Sequence, residues 1–215
     1  MRTRDRILEQ ARVLFNDQGV GRVALNQIAL DLEMSAGNLH YHFNTRAKLI
    51  SALIARFERA VGEISSAAPD HYGGIDDFWM YLHLLLEVCL RYRFALRDLD
   101  QVLAETPDAQ ASLQRIRGAI EHAMTRACKG MQEAGLIEVD DEVIVELAVH
   151  LSFIVCCWPN FELLAREGSN AGSALETTAL RALAPLAPYL DPNQRAYLRF
   201  LRNKYLPAGA PHAVV

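Results

Sequence analysis

Apolar residues recur at three- and four-residue spacing along most of this 215-residue chain, and no stretch of useful length alternates apolar with polar. Such spacing turns one face of a helix toward a core. An all-α fold is therefore expected. Over 3–17 the stripe is Ile7, Leu8, Ala11, Leu14 and Phe15, closed by Gly19 and Gly21. A short helix is predicted over 25–33, a tight turn at Met34, Ser35 and Ala36, and a second short helix over 37–43. Thr45 can cap a long helix with Leu49, Leu53, Phe57, Ala60 and Ile64 inward. Residues 69–74 read as a linker.

After the linker, 78–90 is apolar almost all round, with only His83 and Glu87 polar, as in a helix buried on every side. Thr106-Pro107 reads as a cap and first-turn proline for a helix that Gly135 closes. Acid at 140–142 opens another, which Pro159 should kink or split. Two more helices follow, over 173–184 and from Pro192 to about residue 205, and 207–215 reads as a flexible tail.

Two short helices joined by a three- to four-residue turn, behind a longer first helix, make a helix-turn-helix. Its second helix would present Ala36, Gly37, Asn38, His40, Tyr41 and His42. Ala36 and Gly37 are small enough for close approach to a duplex. Asn38 and the histidines can donate and accept hydrogen bonds, and Tyr41 can stack or reach a phosphate. His42 can equally pack within the head. Arg46 and Lys48 open the next helix and can pair with phosphates. Charge agrees: residues 1–50 carry seven Lys/Arg against five Asp/Glu, while the whole chain is at −4. A cationic head on an anionic body suits a chain whose head alone touches a polyanion.

Residues 4–57, RDRILEQARVLFNDQGVGRVALNQIALDLEMSAGNLHYHFNTRAKLISALIARF, resemble the TetR family of bacterial regulators. The resemblance lies in LF before a glycine loop, then IA, then SAGNLHYHF, then a leucine three residues after Arg46. It departs at Val23-Ala24, where the family has Thr or Ser, at His40 for Tyr, and at Arg46 for Lys. It implies double-stranded DNA as a partner, read at a palindromic operator, with contacts from Asn26, Ala36, Asn38, His40, Tyr41, His42 and Arg46. It also implies a homodimer and a small-molecule effector. The expected division is a DNA-binding head over 1–48, a connecting helix over about 45–67, and a ligand-binding and dimerisation body over 74–206.

In the body, His83 with Glu87 and Glu146 with His150 repeat a four-residue spacing. They read as paired core charges, as polar groups of a pocket, or as surface residues. Trp79, Tyr92, Phe94, Met124, Cys128, Phe153 and Cys157 are candidates to line an apolar effector cavity, or plain core. By the resemblance, the helices over 140–167 and 173–187 form the dimer, with Leu175, Ala179, Ala182 and Leu186 at helical spacing.

Other classes find little support. The His/Glu set has no metal-ligand spacing, so no metal and no cofactor are expected. Adjacent Cys156 and Cys157 diverge on a helix, which suits neither a disulfide nor one metal, and the four cysteines read as reduced and buried. No nucleophile, base and orienter stand together, so an enzyme is the weaker reading, as is an interaction module with an inactive head. The apolar run 143–158 contains Glu146 and His150 and reads as too short and polar for a membrane span. The N-terminus is charged, unlike a signal peptide, so the cytoplasm is expected.

Overall fold

The computed structural model describes residues 2–69, 71–165 and 171–205, with the side chains of 162–165 and 171–174 outside that set. The stretch read as a flexible tail lies outside the described residues. Eleven α-helices account for nearly all of the rest. Extended pairing among the described residues is a single antiparallel bridge between Ile137 and Leu190.

The helices form two compact units that interleave in sequence. Unit one takes the chain up to Ala60 together with Arg91–Ile116, and unit two takes Val61–Leu90 and the chain from Arg117 onward. A linear cut at residue 74 would place all of 91–116 in the body, whereas that stretch packs with the head.

Unit one contains α1 (Thr3–Gln18), α2 (Leu25–Asp31), α3 (Ala36–His42), most of α4 (Arg46–Ser66), α6 (Arg93–Arg97), α7 (Leu99–Glu105) and the start of α8 (Ala109–Glu133). Its core is the α1 stripe with Ile28, Leu39, Leu49, Leu53, Phe57 and Phe94, all buried. Each of the leucine, isoleucine and phenylalanine side chains among them contributes roughly 1.5–3 kcal/mol of transfer free energy. Phe94 packs against Phe15 with ring centres 5.5 Å apart, and Tyr92 stacks on Phe57 at 5.2 Å.

The C-terminus of α1 shows why 91–116 joins this core. A helix end leaves carbonyls without partners and carries partial negative charge. Arg97 donates to the carbonyls of Phe15 and Asn16, and Arg93 donates to that of Asn16. The buried Asn16 amide donates to the Arg91 carbonyl and accepts from the Phe94 N–H. A 3-10 turn follows at Val20–Arg22. There Asp98 accepts the Val20 N–H at 2.8 Å and Gln101 accepts the Gly21 N–H at 2.7 Å. Burial pushes the Asp98 carboxyl up, but the hydrogen bonds from Arg97 and Val20 outweigh it and hold it below the usual range.

Unit two contains α5 (Ile75–Arg91) up to Leu90, the rest of α8, α9 (Asp141–Ala165), α10 (Ala171–Leu183) and α11 (Pro192–Tyr205). Gly135, at φ +69°, ends α8, and the Leu136 N–H returns to the Met131 carbonyl at 2.9 Å. Thr106 does not cap α8. It ends α7, and its hydroxyl donates to the Val102 carbonyl. The expectation that α5 is buried all round fails, because Met80, Leu84 and Glu87 are exposed. Pro159 sits inside α9 without splitting it. Over Asp141–Phe161 that helix is long and apolar enough to cross a membrane, so length does not exclude a span as the shorter run 143–158 suggested. Its inner residues Ile144, Leu147, Ala148, Leu151 and Val155 are buried and α10 packs along it, as in the core helix of a bundle.

Candidate nucleic-acid interface

The helix-turn-helix is held from inside by few residues. Ile28 and Ala29 anchor α2, Leu39 anchors α3, and Phe43 follows with 3% exposure. Ala24, at the N-cap of α2, makes no side-chain cap, as the absence of Thr or Ser at 23–24 implied. Main-chain bonds shape the turn instead: Glu33 N–H to the Leu30 carbonyl, and Met34 N–H to that of Ala29, both at 3.0 Å. Glu33 adopts φ +53°, in the left-handed region. Ser35 then starts α3, its hydroxyl accepting the Asn38 N–H at 3.2 Å.

With Leu39 inward, the rest of α3 faces out. Ala36, Gly37, Asn38, His40 and Tyr41 are exposed and His42 half-buried. Tyr41 is 85% exposed, a large apolar surface for a side chain serving no core. A Cβ on Gly37 would meet no atom within 4 Å, so the helix surface is open at that point. Asn26 on α2 is exposed as well. Lys48 is exposed in the first turn of α4, where its N–H donates to the Thr45 hydroxyl. Arg2, just before α1, and Arg4 and Arg6 in its first turn add exposed cations, and Arg4 lies over the Phe43 ring at 5.0 Å. Sequence reasoning used them only as net charge.

Arg46 departs from expectation. Its Nε donates to Glu105 at 2.7 Å, with a second prong from Nη2. Its Nη1 donates to the carbonyls of Val20 and Val23 at 3.1 and 2.8 Å. A guanidinium committed to a carboxylate and two carbonyls has little left for a phosphate, so the geometry makes it a strut within unit one.

The exposed helix on a helix-turn-helix frame matches a known pattern. A sequence model described as bacterial regulatory proteins of the tetR family covers residues 7–53, and a second, described as a bacterial transcriptional repressor of the TetR type, covers 56–198. The chain belongs to the TetR family. It is a DNA-binding transcriptional regulator with a helix-turn-helix domain and a larger helical domain. It is 27% identical over 176 residues to the HTH-type transcriptional regulator UidR of Escherichia coli K12, covering 79% of this chain and 87% of that protein. Among solved structures, a TetR-family regulator from Marinobacter aquaeolei VT8 superposes with a TM-score of 0.85 at 27% identity, covering 96% of this chain and all of the other. A gamma-butyrolactone receptor shares the fold with a TM-score of 0.66 at 15% identity, covering 94% and 96%.

The TetR body residues are distributed unlike a single cavity wall. Tyr92 and Phe94 belong to the core of unit one, because each meets an aromatic partner there. Glu87, Glu146, His150, Phe153 and Cys157 are exposed. Both His/Glu pairs therefore take the surface reading for their acids, and His83 is satisfied locally, its Nδ1 donating to the Trp79 carbonyl at 2.7 Å. Trp79 is half-buried against His83 and Tyr205, and Met124 and Cys128 are fully buried in unit two. Burial pushes the Cys128 and Cys156 thiols up to about 12, the opposite of a reactive thiol. An open cleft of about 450 Å³ also lies in unit one, lined by Asp17, Gly19, Gly21, Arg22, Arg97, Asp98 and Gln101, among others.

The dimer residues need a similar correction. Ala179, Ala182 and Leu186 are fully buried within the chain itself, and Leu175 is half-buried. The period of α10 marks its inner face, and small residues there let helices of the same chain approach. Sequence reading missed a stripe on the outer face of α9. Val145, Val149, Phe153, Cys157 and Phe161 recur every fourth residue, and all five are exposed.

Proposed function

We propose that this TetR-family regulator is a cytoplasmic repressor that binds a palindromic operator as a homodimer and is released by a small effector held in unit two. The observation that carries the DNA reading is α3, with Leu39 committed to the core, Ala36, Gly37, Asn38, His40 and Tyr41 exposed, and His42 half-buried. Asn38, His40 and Tyr41 read base edges. Asn26, His42 and Lys48 hold the backbone, and Ala36 and Gly37 let the helix approach.

The outer stripe of α9 supplies the dimer face. Five large or apolar side chains in register along a helix are costly in water, and a two-fold contact places each α9 against its copy. Two heads related in this way match half-sites about one helical turn apart. The helices α4 and α8 each continue from one unit into the other, so they are the physical route by which an effector in unit two reaches the head.

Selection of bound sequences from a random DNA pool tests the reading. An inverted repeat with half-sites centred about 10 base pairs apart, or a multiple of that, is expected. Recovery of unordered, salt-sensitive binders alone would refute sequence-specific recognition.

A further inference from the structure

Unit two holds a polar cluster that its packing does not use. Tyr72, in the connection between α4 and α5, and Tyr81, on α5, are 4% and 3% exposed, and neither phenol hydroxyl has a hydrogen-bond partner in the protein. The Ser65 hydroxyl, near the end of α4, is buried and also without a partner. It stands close enough to Tyr81 to favour the phenolate slightly, yet not in hydrogen-bond geometry. Burial outweighs that effect and raises both phenols, Tyr81 to about 12, so each is a protonated donor at neutral pH. Tyr72 and Tyr81 are within electrostatic reach of each other and of Arg126 on α8, and Tyr72 also of Cys128. The Phe78 ring meets Tyr72 edge-on at 6.3 Å.

Buried hydroxyls in native proteins are almost always paired, because each one left alone forfeits its hydrogen bonds to water. Phenylalanine would fill either tyrosine position with the same ring and no polar atom. Three buried hydroxyls thus stand together in unit two, each with an O–H to donate and no acceptor in the protein to receive it. We infer that Ser65, Tyr72 and Tyr81 form a donor set in unit two that recognises an oxygen acceptor, a carbonyl or a carboxylate, on an otherwise apolar small molecule. The inference rests on the reading of unit two as the effector-binding unit and adds to it the chemistry of the effector.

The test uses the full chain and three probes of similar size: methyl benzoate, benzoate and isopropylbenzene, titrated against tryptophan fluorescence. The expected result is that at least one oxygen-bearing probe binds about tenfold tighter than isopropylbenzene, the worth of one hydrogen bond. The ester and the carboxylate separate a neutral acceptor from an anionic one. In Tyr72→Phe and Tyr81→Phe the preference should disappear, while the melting temperature of the unliganded protein stays level or rises. Equal binding of all three probes by the parent protein would overturn the donor set and leave an apolar effector site standing. A marked fall in melting temperature in both Phe variants, with the preference retained, would assign the hydroxyls a structural role and overturn it also. Binding by none of the three up to millimolar concentration would remove the effector reading of unit two, and the donor set with it.

Discussion

Arg46, the first residue of α4, and Glu105, the last residue of α7, form a two-pronged ion pair. The pair is about three-quarters buried on each side, and Arg46 also holds the turn before α2 through the Val20 and Val23 carbonyls. Losing one partner leaves the other charge poorly solvated. Arg46→Ala and Glu105→Ala should each destabilise the protein by about 1–3 kcal/mol, and the double variant by less than the sum. Urea unfolding of the four proteins in a cycle measures it, and strict additivity would contradict it.

The same pair makes a second, opposite prediction about DNA. A phosphate contact contributes to the salt dependence of binding, whereas a strut does not. Lys48→Ala should lower the slope of log affinity against log salt by about 1. Arg46→Ala should weaken binding with the slope unchanged. Titrations at three salt concentrations decide between them, and a lowered slope for Arg46→Ala would return it to the phosphates.

How much was legible in the sequence differs by the range of the interaction. The helix-turn-helix is a local pattern, with the turn at Met34, Ser35 and Ala36, Leu39 inward and Tyr41 outward all set within a dozen residues, and it was legible, although Ser35 was read as part of the turn and caps α3. Arg46 was misread because its partner is 59 residues away and nothing local distinguishes a strut from a phosphate contact. Tyr92 and Phe94 are aromatic whether they line a cavity or a core, so composition gave no address. Ala179 and Ala182 show the limit of periodicity, which finds a buried face without saying which chain buries it.

Base choice should reside in α3. Asn38→Ala should reduce discrimination between matched and mismatched operators by about 1–3 kcal/mol, with little loss of affinity for random DNA. Competition binding against single-base variants reports it, and an equal loss on every sequence would make Asn38 a backbone contact.

Assembly should depend on the outer face of α9 and not on the inner face of α10. Phe153→Glu and Val149→Glu should yield folded monomers that lose operator affinity. Ala182→Arg should unfold unit two, since it drives a guanidinium into a fully buried position. Sedimentation with circular dichroism separates the two outcomes, and a folded monomer from Ala182→Arg would reverse the assignment.

The Asp98 bonds to Arg97 and the Val20 N–H give a pH signature of definite sign. Its carboxyl is depressed in the folded state, so its contribution is complete above the unfolded value of about 3.9 and is lost as pH falls through the lower folded value. Asp98→Asn should therefore be less stable than the parent protein at pH 7, with the gap closing below about pH 3.5. Thermal melts across that range test it, and a constant gap would show that the charge is not what matters.

The turn between α2 and α3 is built from main-chain bonds, with Glu33 in a left-handed conformation and only Ser35 contributing a side chain. The aim of the recognition helix is thus stored in backbone geometry, while its reading is stored in outward side chains that hold nothing in place. The two are separable in heredity. If Asn38, His40 and Tyr41 read the bases as proposed, they are free to vary without moving the helix they ride on, and descendants of this sequence can acquire new operators by point substitution while the frame that aims them is inherited intact.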